Sequence, residues 1–220
     1  MSGPAEPNEP APPRLYLVVE AGETAADRLA AALATVKPSS VLVTAASDKP
    51  LDADAVLPLI KLGQAAGVAV LIADDAQLAR VTRADGAHLS NSKDILSRAA
   101  EAREILGNRF ILGVDAGRSR HDAMELGESG VDYIGFGIPE FVGDRETAVE
   151  RRLDLVDWWS EIFEVPCVAF DVADLADAAE LADAGADFVA MRLPRGLSGA
   201  DLQAFLRNAE GVLNDGMPAA

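Results

Sequence analysis

Eight times along this chain a short apolar run gives way to a segment whose apolar residues recur with helical spacing, and that alternation limits the fold more than any other feature. The runs are Leu15 to Val19, Val41 to Val43, Ala69 to Ala73, Gly86 to Leu89, Phe110 to Val114, Tyr133 to Phe136, Cys167 to Phe170 and Phe188 to Met191. The helical segments are Ala25 to Val36, Ala53 to Ala66, Ala76 to Val81, Ile95 to Leu106, His121 to Glu128, Arg151 to Phe163, Leu175 to Ala184 and Ala200 to Leu213. Short apolar runs between amphipathic helices read as strands buried on both faces, and parallel strands need such crossovers. Thr24, Asp52, Asp75, Asp94, Asp174 and Ser198 stand where helix N-caps are expected, and Gly67, Gly107, Gly130 and Gly185 where helices end. Three helix-to-strand turns repeat one pattern: Ala66-Gly67-Val68, Ser129-Gly130-Val131-Asp132 and Ala184-Gly185-Ala186-Asp187.

Eight such units in about 200 residues predict an α/β fold of the single-domain (β/α)8 TIM barrel type. An open doubly wound sheet usually has about six strands and a glycine-rich fingerprint after the first. Here strand one runs into Glu20-Ala21-Gly22-Glu23-Thr24. The expected division is a disordered proline-rich tail over 1–13, a barrel over 14–213 and a flexible C-terminus over 214–220. The tail holds five prolines and two glutamates but no apolar core, so a signal peptide is not expected there.

Half of the residues are apolar, enough for a sizeable core. The formal charge of -17 opposes nucleic acid and anionic membrane surfaces, so neither is an expected partner. No apolar stretch approaches the roughly 20 residues that cross a bilayer. The single Cys167 lies in an apolar strand, which suits a reducing compartment and a cytoplasmic location.

In a barrel of this kind the working residues lie where strands end and loops begin. That rule nominates Glu20, Thr44, Ser47, Asp74, Asp75, Ser90, Asn91, Asp115, Arg118, Gly137, Glu140, Asp171, Arg192 and Arg195. Several are acidic and could converge on a hard cation, or cap helices instead. In Arg192-Leu193-Pro194-Arg195-Gly196, two arginines and a glycine precede the last helix and could cradle an anion, or Arg192 could pair with Asp171.

The segments Leu15-Tyr16-Leu17-Val18-Val19, Val70-Leu71-Ile72-Ala73-Asp74-Asp75, Asp85-Gly86-Ala87-His88-Leu89, Asp132-Tyr133-Ile134-Gly135-Phe136-Gly137 and Ala184-Gly185-Ala186-Asp187-Phe188-Val189-Ala190 follow the order and spacing of one family. The chain resembles the thiamine phosphate synthases and their relatives the thiazole tautomerases over about residues 14 to 210. The resemblance implies a reaction in which an aminopyrimidine pyrophosphate ionises and is captured by a thiazole phosphate, with magnesium (Mg2+) on the leaving pyrophosphate. It also implies a set of loop residues, many of which differ here. The family's Gln-Leu-Arg-Glu-Lys run is replaced by Thr44-Ala45-Ala46-Ser47-Asp48. Its Asn-Asp-Arg becomes Ala73-Asp74-Asp75, and its His-Leu-Gly-Gln with a nearby Asp becomes His88-Leu89-Ser90-Asn91-Ser92-Lys93-Asp94, leaving Asp74 and Asp94 as metal ligands by resemblance. Ile138-Pro139-Glu140-Phe141-Val142-Gly143-Asp144-Arg145 carries no lysine, and the Gly-Gly after strand seven is Asp171-Val172.

The catalytic candidates are His88, which the family shares, and His121, from the tautomerase-like Gly117-Arg118-Ser119-Arg120-His121. Counted from strand five, Gly117 falls where the tautomerase histidine is expected, and His121 one helical turn later. A hydrogen-bonded structural role for His88 and a solvated one for His121 are the competing readings. Candidate ligand or phosphate contacts are Ser90, Asn91, Arg118, Gly137, Arg192, Arg195 and Gly196. The expected function is a divergent member that binds a small, phosphorylated ligand. An active synthase or a tautomerase-like enzyme is the alternative. Trp158 and Trp159 are adjacent, so one is expected in the core and the other beside Ile162 and Phe163, where a homo-oligomer contact could form.

Overall fold

A computed structural model describes residues 12–46, 49–138 and 142–215. Residues 1–11, Ser47, Asp48, 139–141 and 216–220 lie outside the described residues, and with them nearly all of the expected tail, most of the C-terminal segment and Glu140. Strands and helices alternate without exception: β1 Arg14–Glu20, α1 Ala25–Leu33, β2 Ser40–Thr44, α2 Ala53–Ala65, β3 Ala69–Ala73, α3 Ala76–Thr82, β4 Gly86–Leu89, α4 Ile95–Leu106, β5 Ile111–Asp115, α5 Arg120–Glu128, β6 Tyr133–Phe136, α6 Arg145–Ile162, β7 Cys167–Ala169, α7 Leu175–Asp183, β8 Phe188–Arg192 and α8 Gly199–Asp215. The eight strands close into a barrel in sequence order, and β1 pairs in parallel with both β2 and β8.

The two faces of each strand divide the core. Outward residues such as Leu15, Leu17 and Val19 of β1, Val41 and Val43 of β2 and Leu112 and Val114 of β5 pack under the helices. Inward residues form a separate cluster containing Tyr16, Val18, Leu42, Leu71, Tyr133, Val168, Phe170 and Ala190. This is the period-two alternation of a strand applied to a closed sheet. Inside, large and small residues interlock: a β-carbon on Gly113 would lie 1.9 Å from Cζ of Tyr133, so that ring depends on a glycine opposite it.

An aspartate at the end of three helix-to-strand turns has a mechanical role. Asp85, Asp132 and Asp187, each the residue immediately before β4, β6 or β8, accept the main-chain N–H groups of Val70 (2.8 Å), Leu112 (2.7 Å) and Cys167 (2.8 Å). Each carboxylate thereby ties the entry of one strand to its predecessor at the face opposite the strand ends that carry sites. The same motif that signals ancestry is a brace.

Boundaries differ from expectation in a few places. Helix α6 starts at Arg145 rather than Arg151, because Asp144 caps it through the N–H and hydroxyl of Thr147. Asp52, Asp75 and Asp174 cap as expected, whereas Thr24 and Asp94 make no side-chain cap. Asp94 instead accepts the Ser92 hydroxyl at 2.9 Å. Trp159 is fully buried and donates to the carbonyl of Val165, while Trp158 is half-buried beneath Arg120 and Ile162 is 61% exposed. Cys167 is buried in β7, and burial pushes its thiol up to about 12.

Candidate functional site

The inward residues at the ends of the strands surround a cavity of about 110 Å3 lined by Val18, Leu42, Thr44, Ala73, His88, Ser90, Asp115, Phe170, Asp171, Ala190 and Arg192. Its floor is the aromatic layer of the barrel. The Tyr16 and Tyr133 hydroxyls lie 3.0 Å apart, and the Tyr133 hydroxyl is 3.0 Å from Nδ1 of His88. The His88 ring also lies against Phe170, with centroids 4.6 Å apart. Burial holds its imidazole down at about 4, against the pull of Asp74, so the ring is neutral at pH 7.

Two carboxylates form one wall. A β-carbon on Gly137 would lie 3.0 Å from Oδ2 of Asp115 and 2.9 Å from Oδ2 of Asp171, so the glycine leaves the room that both side chains use. Asp115 accepts the Gly117 N–H at 2.7 Å, and Asp171 accepts the Ile138 N–H at 2.8 Å. Burial, helped by the charges of Asp171 and Asp74, pushes the Asp115 carboxyl up to about 7 despite the N–H groups of Gly117 and Gly137. Asp171 has φ 56, in the left-handed region that favours glycine, and its main-chain carbonyl accepts from the buried Arg152 at 3.0 Å. Arg152 also binds the carbonyl of Phe170 and the carboxylate of Asp177. A guanidinium on α6 thus pins the loop after β7 in an unfavourable backbone conformation.

The arginines expected to hold an anion have carboxylate neighbours. Arg192 lies 3.5 Å from Asp171, and Arg195 pairs with Glu20. Gly196 lines a neighbouring groove with Arg28 and Leu202 rather than the barrel mouth. Ser90 donates its N–H and hydroxyl to Asp74, at 2.8 and 2.7 Å. Asn91 donates to the main-chain carbonyl of Asp115 at 3.3 Å, and the carbonyl of Arg118 accepts from Arg151.

The two proposed metal ligands are engaged otherwise. Asp74 receives Ser90 on both oxygens and the Arg98 guanidinium at 2.9 Å. Burial works to raise its pKa, but the bonds from Ser90 and Arg98 outweigh it and hold the carboxyl below its ordinary range. Arg98 also donates to the Ser92 hydroxyl, which donates to Asp94, so an arginine and a serine stand between the two carboxylates. Among the described residues no three acidic, histidine or cysteine side chains gather as a metal site.

His121 is on the first turn of α5 with its side chain 73% exposed, 3.5 Å from Glu125. It does not line the mouth cavity. The sequence nominated Thr44, Asp115 and Asp171 but not Tyr16, Tyr133, Phe170 or Arg152, which shape the cavity from below and behind. Strand parity carried the signal for the first three, since Tyr133 and Gly135 share a face; the buried arginine was marked by its place one turn from Ala148 and Leu155.

Comparison with known proteins agrees with this architecture. A family model described as "Thiamine monophosphate synthase" matches residues 15–193. The chain is 40% identical over 136 residues to a protein of Erythrobacter litoralis named thiamine-phosphate synthase, covering 61% of this chain and 62% of that one. It is 39% identical over 137 residues to one of Rhodospirillum centenum with the same name, covering 62% and 65%. The matched part spans less than two thirds of these relatives. Among solved structures, thiamine phosphate pyrophosphorylase from Pyrococcus furiosus superposes with a TM-score of 0.73 at 19% identity, covering 93% of this chain and 96% of that one, a likeness of fold.

Proposed function

Since the chain belongs to the thiamine monophosphate synthase family, we propose that it is a divergent member whose barrel mouth binds a small phosphorylated ligand and no longer carries out pyrophosphate chemistry. The observation that carries this reading is the Asp171 carboxylate, which sits against Gly137 beside Asp115 where the family resemblance implies two unobstructed glycine amides. A second carboxylate at that wall repels the charge that a departing pyrophosphate develops. Loss of a single preorganised donor costs about 2.7 to 4 kcal/mol in a transition state, and here a carboxylate acceptor is added where only amides are implied.

Magnesium is the group that the family implies, and the residues present do not fit it. A hard cation needs free carboxylate oxygens, whereas both oxygens of Asp74 accept hydrogen bonds and one also faces the Arg98 guanidinium. Asp94 has one oxygen committed to Ser92. Arg192, 64% exposed and loosely held by Asp171, is the residue on this cavity suited to a ligand phosphate.

An active synthase is the second reading, favoured by the names of relatives at 39–40% identity. A tautomerase-like activity through His121 has less behind it, because that ring is on the solvated flank of α5. The test is to denature purified protein, identify the released small molecules by mass spectrometry, and measure thermal stabilisation by thiazole phosphate and by aminopyrimidine pyrophosphate. Stabilisation by a monophosphate with none by the pyrophosphate is expected. Stabilisation by the pyrophosphate, or by no phosphorylated compound at all, contradicts the reading.

A further inference from the structure

Strand β6 and the residue beyond it put Tyr133, Gly135 and Gly137 on the inward face at successive two-residue steps. A β-carbon at Gly135 would lie 3.1 Å from Cε1 of His88, and one at Gly137 would lie 3.0 Å from Oδ2 of Asp115. Two residues of strand rise about 6.6 Å, so the imidazole and the carboxyl occupy adjacent levels of the barrel. Between them is the mouth cavity, whose roughly 110 Å3 holds about four water-sized groups at ~30 Å3 each, enough for the reacting atoms of a ligand whose remainder extends toward Arg192 at the rim.

The hydrogen-bond chain beneath fixes which way His88 is protonated. The Tyr16 hydroxyl has one partner among the described residues, Tyr133, so it must donate there or leave a buried donor unmet at a cost of about 1–3 kcal/mol. Tyr133 then donates to Nδ1 of His88, and the neutral ring carries its proton on Nε2. That N–H has no partner among the described residues, although His88 is only 5% exposed and its ring lines the cavity. Thr44 adds a second signal, with a buried hydroxyl oxygen lacking a partner on the same cavity. Asp115 has no cationic partner among the described residues and is accessible to the same space.

We propose that the barrel mouth transfers protons on a small carbonyl compound, with Asp115 as the base at carbon and His88 Nε2–H as the donor to the carbonyl oxygen. In the forward step the C–H bond next to the carbonyl breaks and its proton bonds to Oδ2 of Asp115. The C–H electron pair becomes the carbon–carbon double bond of an enolate, and the carbonyl π pair moves to oxygen, where His88 stabilises it. Return of a proton from Asp115 to carbon closes the cycle without any oxidant or reductant. A carboxylate base beside a neutral imidazole is a known pairing for abstraction next to a carbonyl. A base with its pKa raised to about 7 is matched to that task near neutral pH. The other groups that face Asp115 are Asp74, Asp171 and Arg192, so any pH profile reports the cluster. The assignment rests on the mouth being the ligand site.

The test is hydrogen exchange in D2O, followed by proton NMR, with hydroxyacetone, dihydroxyacetone, glyceraldehyde and the phosphates of the last two. At least one compound should exchange its α-protons well above the protein-free rate. Asp115→Asn should lower that rate on the order of 100-fold. Tyr133→Phe, which releases the tautomer of His88, should lower the rate while the apparent pKa of the profile stays near that of the native chain. Exchange no faster than without protein for every compound, or undiminished in Asp115→Asn, overturns the proposal. Thermal denaturation with the same compounds separates the failures: stabilisation without exchange removes the proton transfer alone, and neither effect removes the ligand site as well.

Discussion

Asp115 and Asp171 meet across Gly137, each with Oδ2 within 3.0 Å of the place where a side chain at that glycine would begin. Gly137→Ala should therefore push both carboxylates out of position and destabilise the chain by about 1–3 kcal/mol, as overpacking does. Urea denaturation of the variant checks this, alongside binding of whichever compound stabilises the native chain. A variant as stable as the native chain would mean that the wall is looser than described.

The pH dependence of stability should show two opposed contributions from this mouth. Asp115, raised to about 7, keeps in the folded chain a proton that the unfolded chain has released by about pH 4. Its contribution to stability therefore falls as pH rises across that window. His88, lowered to about 4, stays neutral in the folded chain while the unfolded chain takes up a proton below about pH 6.5, so its contribution falls as pH drops. Between about pH 4 and 6.5 the slopes, each at most about 1.4 kcal/mol per pH unit, oppose one another. Asp115→Asn should unmask stability that declines toward pH 4, and His88→Gln stability that declines toward pH 7. Denaturant midpoints from pH 4 to 8 decide the signs.

Magnesium should leave the melting temperature unchanged at millimolar concentration. A ligand at 100 times its Kd would add about 2.7 kcal/mol, an easily measured shift. Arg98→Ala, which uncovers Asp74, should cost no more than about 1 kcal/mol because the pair is partly exposed. A magnesium shift in the variant alone fits the guanidinium standing where the cation would bind; a shift in the native chain contradicts it.

The braces on the opposite face should behave differently from the mouth. Asp85→Ala leaves the Val70 N–H without its acceptor and should cost about 1–3 kcal/mol, with ligand binding unchanged in the folded fraction. Asp132→Ala should cost at least as much, since Arg103 also pairs with that carboxylate at 2.7 Å. Calorimetric melting with a binding titration separates stability from function.

The barrel was legible because each strand is a short apolar run between turn residues, and because Gly67, Gly107, Gly130 and Gly185 adopt the positive φ that ends a helix. The start of α6 was not, since Glu146 and Thr147 are too polar to extend an apolar pattern backwards and Asp144 marks the cap without one. The pairing of Arg192 with Asp171 could be weighed from strand order alone. The convergence of His88, Asp115 and Tyr133 could not. They come from three strands, and which side chains share a level depends on the register of a closed sheet. Nor does the sequence disclose that Arg98 covers Asp74, a contact made by a flexible side chain from the first turn of α4 to the loop after β3.

The most direct test of the account is turnover: purified protein with aminopyrimidine pyrophosphate, thiazole phosphate and magnesium, with thiamine phosphate and pyrophosphate quantified by chromatography. Asp171 on the site wall and Arg98 over Asp74 predict no product above the protein-free rate. Thiamine phosphate formed at a rate proportional to protein concentration would contradict it.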